Sequence, residues 1–270
     1  MNERAELPEE TSAEETSAEI RARLADNLAR LEQQITAACN QAGRPRAEVE
    51  LVAVSKTHPA PVLREAVSLG LHVFGENRVQ EFAAKSAELS LSRLPGAAAT
   101  VRSHMRVHLI GHLQSNKAAK AVEVFDAVDS LDSLKLAERL NAAVAESPLW
   151  KAKRLPVLIE IKLSAEETKA GLAPDSPELA ELLERLPHLS HLEAQGLMTI
   201  APLDVPEAET RACFRALRLL RDKLAQARPL LHLPVLSMGM SGDFALAIAE
   251  GATRIRVGTA LFGVRPGYGK

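Results

Sequence analysis

Eight short apolar runs, with helix-length segments between most of them, restrict this chain to few folds. The runs are VELVAVS (49–55), HVFG (72–75), RVHLIG (106–111), VFDAVDS (124–130), PVLIEIKL (156–163), LEAQGLMTI (192–200), LPVLSMG (233–239) and TRIRVG (253–258). Between them lie amphipathic patterns such as PVLREAVSLG, SLKLAERLNAAVAE and AETRACFRALRLLRDKLAQA. Strands that alternate with helices imply crossover connections and a parallel sheet. Several runs are apolar on both faces, as required where helices cover one side and a barrel interior the other. The expected fold class is α/β, a single (β/α)8 TIM barrel, for which about 250 residues is typical. An open doubly wound sheet is the alternative, disfavoured because no GxGxxG follows the first run. The second and fourth runs have the least strand character. SLSRLPGAAATVRSHM (90–105) reads as a surface loop.

An extra helix precedes the barrel. Ile20, Leu24, Leu28, Leu31, Ile35 and Ala38 recur at helical spacing, and Gly43 and Pro45 stop the pattern. The residues before it, 1–18, are acidic and polar and bury too little apolar surface to order themselves, so they read as a disordered tail. Residues 19–270 then form one barrel domain. The start of the chain has no apolar segment resembling a secretory signal, and no run of about 18 apolar residues suggests a membrane span. A soluble, cytoplasmic protein is expected.

Composition removes other classes. A formal charge of −2 and 3% aromatic residues provide neither a basic stripe nor stacking platforms for nucleic acid. Cys39 and Cys213 are the only cysteines, too few for a disulfide framework. His104, His108 and His112 are spaced by four, but on a strand such positions lie roughly 13 Å apart and cannot share one metal ion. No metal site is expected. The absence of a large exposed apolar stripe favours a monomer.

In a barrel, functional sites form at the C-terminal ends of the strands. Lys56 ends the first run. A strand-end lysine ordinarily reaches into solvent; desolvated in a pocket, its amine can instead form a Schiff base. SMGMSGD (237–243) follows the seventh run and RVGT (256–259) the eighth. Loops after strands 7 and 8 are the usual phosphate site of such barrels, and their Gly and Ser residues allow close backbone approach. Arg256 sits at the end of the eighth run as a permanent cation. FGENRVQE (74–81) places Asn77 beside the mouth, with Glu81 as a partner for a helix cap. An amine, a phosphate cradle and an arginine around one mouth suggest pyridoxal 5′-phosphate (PLP).

AVSKTHP, FGENRVQE, HLIGHLQSNK, KAGL, GLMTI, LSMGMSGDF and IRVGTALFG occur in the order found in the pyridoxal phosphate homeostasis proteins. The chain resembles that family over residues 20–263, and the family's fold is similar to the alanine racemase N-terminal barrel of fold-type III PLP proteins. The resemblance implies that Lys56 carries the cofactor as an aldimine and Arg256 faces the pyridine nitrogen. Ser237, Gly258 and Thr259 would hold the phosphate, and Asn77, Met238 and Ser241 match positions near the cofactor. A permanent cation against the ring nitrogen disfavours its protonation and weakens the ring as an electron sink. Two positions depart from the pattern: Val107 stands where tryptophan is frequent, and Lys162 where asparagine is expected. Lys162 is thus a second candidate amine.

The implied function is a PLP-binding protein that buffers or delivers the cofactor, with PLP-dependent apoenzymes as recipients. The alternative is a PLP-dependent amino-acid racemase, which needs an acid/base group on each face of the reacting carbon. Lys56 serves one face. The only tyrosine is Tyr268, and a second, β-rich domain beyond the barrel is not expected, so the non-catalytic reading is favoured. A Schiff-base aldolase for a sugar phosphate would share the phosphate loops.

Overall fold

The computed structural model describes residues 15–91, 100–164 and 170–263, so most of the acidic tail, Tyr268 and part of the expected surface loop lie outside the described residues. Eight parallel strands close into one barrel in chain order. They are β1 (Glu50–Val54), β2 (Val73–Glu76), β3 (Arg106–Leu109), β4 (Ala127–Leu131), β5 (Leu155–Glu160), β6 (Leu192–Met198), β7 (Val235–Ser237) and β8 (Arg254–Val257). β8 returns to β1, pairing Arg254 with Glu50 and Arg256 with Val52. The helices are α1 (Ser17–Gln41), α2 (Ala60–Ser68), α3 (Val79–Leu91), α4 (Ala118–Val124), α5 (Leu134–Glu146), α6 (Pro177–Arg185), α7 (Glu207–Ala227), α8 (Phe244–Ala249) and α9 (Thr259–Phe262).

Each of the eight apolar runs contains a strand, including the second and fourth. The edges differ. Val124 closes α4 rather than opening β4, and β7 keeps only three residues of its run. Of the expected surface loop, Ser90 and Leu91 still belong to α3 and are exposed, while Val101 to His104 form a 3-10 turn in which Ser103 is exposed and Val101 buried. His104 therefore belongs to a turn, not to a strand. The three histidines have separate partners: Thr100 O for His104, Asp129 for His108 and Asp132 for His112.

Alternate strand residues face opposite ways. Ala53, Phe74, Val107, Leu109, Val128, Ile159, Leu197, Leu236, Ile255 and Val257 join Leu63, Phe82, Leu140, Leu182 and Phe214 of the helices in one apolar core. Each large side chain buried there contributes about 1.5–3 kcal/mol. The other parity fills the N-terminal half of the barrel with ion pairs. Arg254 spans it, donating to Glu50 at 2.7 Å and to Asp129 of the opposite strand β4 at 3.1 Å. His108 Nδ1 lies 3.1 Å from Asp129, and Arg106 donates to Glu50 at 2.8 Å. Buried charges are tolerable only when paired in this way.

α1 begins at a capping box in which Thr16 and Glu19 satisfy each other's amides. Its buried face includes the expected Ile20, Leu24, Leu31, Ile35 and Ala38, with Leu28 partly buried. It packs against α2, α8 and α9. Arg23 and Asn27 donate to the carbonyls of Phe262 and Leu261 at 2.8 and 2.9 Å. The extra helix thus ties down the element that follows β8.

Candidate functional site

At the C-terminal ends of the strands lies a cavity of about 390 Å³. β1 brings Val54 and Lys56 to it, the β2 end Asn77, and the β3 end Ile110, Gly111 and His112. Glu160, Ile161 and Lys162 come from β5 and its extension, and Ile200 from beyond β6. Met240, Ser241 and Gly242 follow β7, while Arg256, Gly258 and Thr259 come from β8 and the start of α9. Lys56, Asn77, Ser241, Arg256, Gly258 and Thr259 are thus brought together as the sequence predicts. Ser237 and Met238 are not on the wall. Ser237 is fully buried and its hydroxyl accepts from Arg256 Nη1 at 2.8 Å; Met238 has the opposite parity and packs into the apolar core.

Lys56 and Thr57 are the two central residues of a tight turn, closed by His58 N donating to Ser55 O at 3.1 Å. Thr57 has φ +69°, whereas Lys56 does not have a positive φ. That combination is the type II turn, whose third position normally requires glycine. A β-branched residue in the left-handed region costs about 1–2 kcal/mol. Glu81 of α3 accepts from Thr57 N at 2.7 Å. Lys85, one turn further along α3, pairs with Glu81 at 2.8 Å and Glu76 at 2.9 Å, and donates to Ser55 O at 3.1 Å. Ser55 Oγ adds a bond of 2.8 Å to fully buried Glu76. His58 then packs on Phe262, ring centroids 5.0 Å apart.

Arg256 is held by two bonds of 2.8 Å, to Ser237 Oγ and to the carbonyl of Thr199. Burial pulls its pKa below the ordinary guanidinium value, against the opposing fields of Asp129, Glu160 and Asp243. The two small-residue loops meet where Ala260 N donates to Ser241 Oγ at 3.4 Å. Gly239, at φ +94°, lets the loop after β7 pack against α8, since a Cβ there would lie 2.6 Å from the Ala247 Cβ.

Glu160 is the group that sequence reasoning missed. It is 5% exposed, its Oε2 has no hydrogen-bond partner among the described residues, and it lines the cavity. Burial pushes its pKa up to about 7, Asp132 adds to the rise, and Arg256 and His112 oppose it. β5 stands across the barrel from β1, so Glu160 and Lys56 belong to opposite strands of the mouth. The available signal was parity, because Leu158, Glu160 and Lys162 share one strand face.

Residues 27–266 match the family described as alanine racemase, N-terminal domain. The pyridoxal phosphate homeostasis protein of Pseudomonas aeruginosa is 43% identical over 243 residues, covering 90% of this chain and 96% of that one. This chain belongs to the pyridoxal phosphate homeostasis protein family. PipY of Synechococcus elongatus, solved with PLP bound, is 44% identical with a TM-score of 0.75, covering 89% of this chain and 100% of that one. Alanine racemase of Clostridium difficile is 16% identical with a TM-score of 0.66, covering 92% of this chain and 58% of that one, and shares the fold. The expected barrel of the alanine racemase type is therefore the fold this family member has.

Proposed function

We propose that this chain binds pyridoxal 5′-phosphate in the cavity at the barrel mouth and, like the relatives named for it, serves homeostasis of the cofactor by buffering and delivery. The observation that carries this reading is the presence of Lys56 and Arg256 on the wall of one cavity that also includes the two small-residue loops. The residues fit the group. The cavity volume lies within the range of small-molecule sites. Gly258 has no side chain, and a Cβ there would sit 3.2 Å from the Val54 carbonyl. PLP supplies an aldehyde and an electron-withdrawing ring. Lys56 supplies the amine for that aldehyde. The Ser241–Gly242 and Gly258–Thr259 segments would supply small-residue backbone and hydroxyls for a phosphate, and Asn77 lies on the same cavity wall. Arg256 would supply a fixed cation, and a cation next to the ring nitrogen would oppose its protonation.

Incubation with PLP followed by borohydride is expected to fix a pyridoxyl group on Lys56, located by peptide mass spectrometry. Lys162 shares the cavity and is the internal comparison. Label on Lys162 alone, or on neither lysine, would overturn the assignment.

Glu160 gives the second reading, a PLP-dependent amino-acid racemase, a specific basis. Racemisation requires proton transfer on both sides of one carbon, and Lys56 and Glu160 are titratable groups on opposite strands. The carrier reading predicts no exchange of amino-acid α-protons in deuterated water at rates of order 1 per second or above. NMR of alanine incubated with the PLP-loaded protein decides between the two. PLP-dependent apoenzymes are the proposed recipients, and the working state is a cytoplasmic monomer. In support, no helix among the described residues is long and apolar enough to cross a membrane. The exposed large apolar residues Leu91, Leu149, Leu203, Leu219 and Leu230 come from separate segments.

A further inference from the structure

We propose that Glu81, acting through the Thr57 amide, is a positioning residue that locks the turn carrying Lys56 and so sets the reactivity of its amine. The inference rests on the reading of Lys56 as the residue that takes the aldehyde of PLP.

Contacts on both sides hold this turn. On its N-terminal side, Ser55 N donates to Gly75 O at 3.0 Å, and Ser55 O accepts from both His58 N and Lys85 Nζ, each at 3.1 Å. On its C-terminal side, Thr57 N donates to the Glu81 carboxylate at 2.7 Å. Beyond it, His58 is buried against Phe262, two residues past Ala260, whose amide reaches Ser241. The turn that carries Lys56 is therefore held from α3 on one side and from α9 on the other.

The grip works against a local preference. Thr57 holds φ +69° where a type II turn favours glycine. Strained non-glycine residues persist only where their surroundings over-determine them. The over-determining bond is an amide donating to a carboxylate, a charge-assisted contact about twice as strong as a neutral one. Glu81 is in turn anchored by Lys85, which is mostly buried between Glu81 and Glu76. Without the carboxylate, the turn relaxes toward conformations that a threonine prefers, and these carry the Lys56 side chain out of register with the cavity. The Glu81 of FGENRVQE, which the sequence suggests as a helix-cap partner, is bonded instead to the Thr57 amide and to Lys85.

The test uses the full chain and two readouts, one of which needs no cofactor. In cofactor-free protein, competitive acetylation with acetic anhydride from acid to alkaline pH reports Lys56 reactivity against the other lysines by mass spectrometry. Glu81→Gln is expected to move the Lys56 profile toward that of an exposed lysine. It is also expected to slow borohydride-fixed PLP capture about tenfold, the factor matching a left-handed φ on a branched residue. Thr57→Gly in the Glu81→Gln background is expected to restore both, because glycine takes this φ without being held. A merely structural loss at Glu81 would not be rescued by a second substitution that adds no contact. An unchanged acetylation profile in Glu81→Gln, or a double variant as slow as the single one, overturns the proposal. A wild type that captures no PLP removes the cofactor reading instead, while the acetylation comparison still decides the lock.

Discussion

Lys56→Ala is expected to abolish borohydride-fixed capture of PLP and to weaken equilibrium binding by at least about 100-fold, or about 2.7 kcal/mol. The phosphate loops and Arg256 remain in the variant, so residual non-covalent binding is expected. What disappears is the single contact that commits the aldehyde to this cavity. Lys56→Arg should behave like the alanine variant although it keeps the charge, because a guanidinium is no substitute for a nucleophilic amine. Lys162→Asn, which places the family's residue on the same wall, should leave capture within about threefold of wild type, under 1 kcal/mol. Spectrophotometric titration with PLP and mapping of the reduced adduct measure all three. Equal capture by wild type and Lys56→Ala would remove Lys56 from the site.

The fold was legible because its determinants are local and repeated. Each apolar run read as a strand is one, since a parallel barrel buries both strand faces and leaves a nearly continuous apolar signal. The run edges slipped where apolar residues serve helices: Val124 ends α4, and Leu233 is buried outside β7. At the site, strand-end position sufficed for Lys56, Arg256, Gly258 and Thr259. For Ser237 and Met238 the motif placed the chain correctly but not its faces. Residue 237 points inward, where Arg256 takes its hydroxyl, residue 238 outward into the core, and the cavity is reached only from Met240 onward. Glu81 and the pairing of Arg254 with Asp129 were not legible, because they join segments 24 and 125 residues apart. Nothing in a single chain's local pattern specifies such pairings.

The carboxyl that sequence reasoning passed over produces the second large effect, and its sign follows from its raised pKa. In the unfolded chain a glutamate titrates near 4.5, while Glu160 in the folded chain titrates at about 7. Below the lower value both states hold the proton and the group contributes nothing. Between the two, the folded state keeps a proton that the unfolded state has lost, so stability falls as pH rises. Above 7 both states are ionised and the full cost persists, about 3 kcal/mol for a shift of this size. Glu160→Gln keeps the shape and removes the titration. The cofactor-free variant is therefore expected to be more stable than wild type at pH 8 by up to about 3 kcal/mol, several degrees in Tm for a domain of this size. The advantage should shrink through pH 6 and vanish only below about pH 4.5, where the folded and unfolded wild type both carry the proton. Urea unfolding at four pH values measures it. A variant no more stable than wild type at pH 8 would mean that the ionised carboxylate is compensated in the folded chain, with the cations on the cavity wall, Lys56, Lys162 and Arg256, as the groups placed to do it. Glu160 would then be part of the charge balance of the site rather than a burden on the fold. Titrating the same variant with PLP separates these outcomes, since only a carboxylate in that balance changes the pH dependence of PLP binding when it is neutralised.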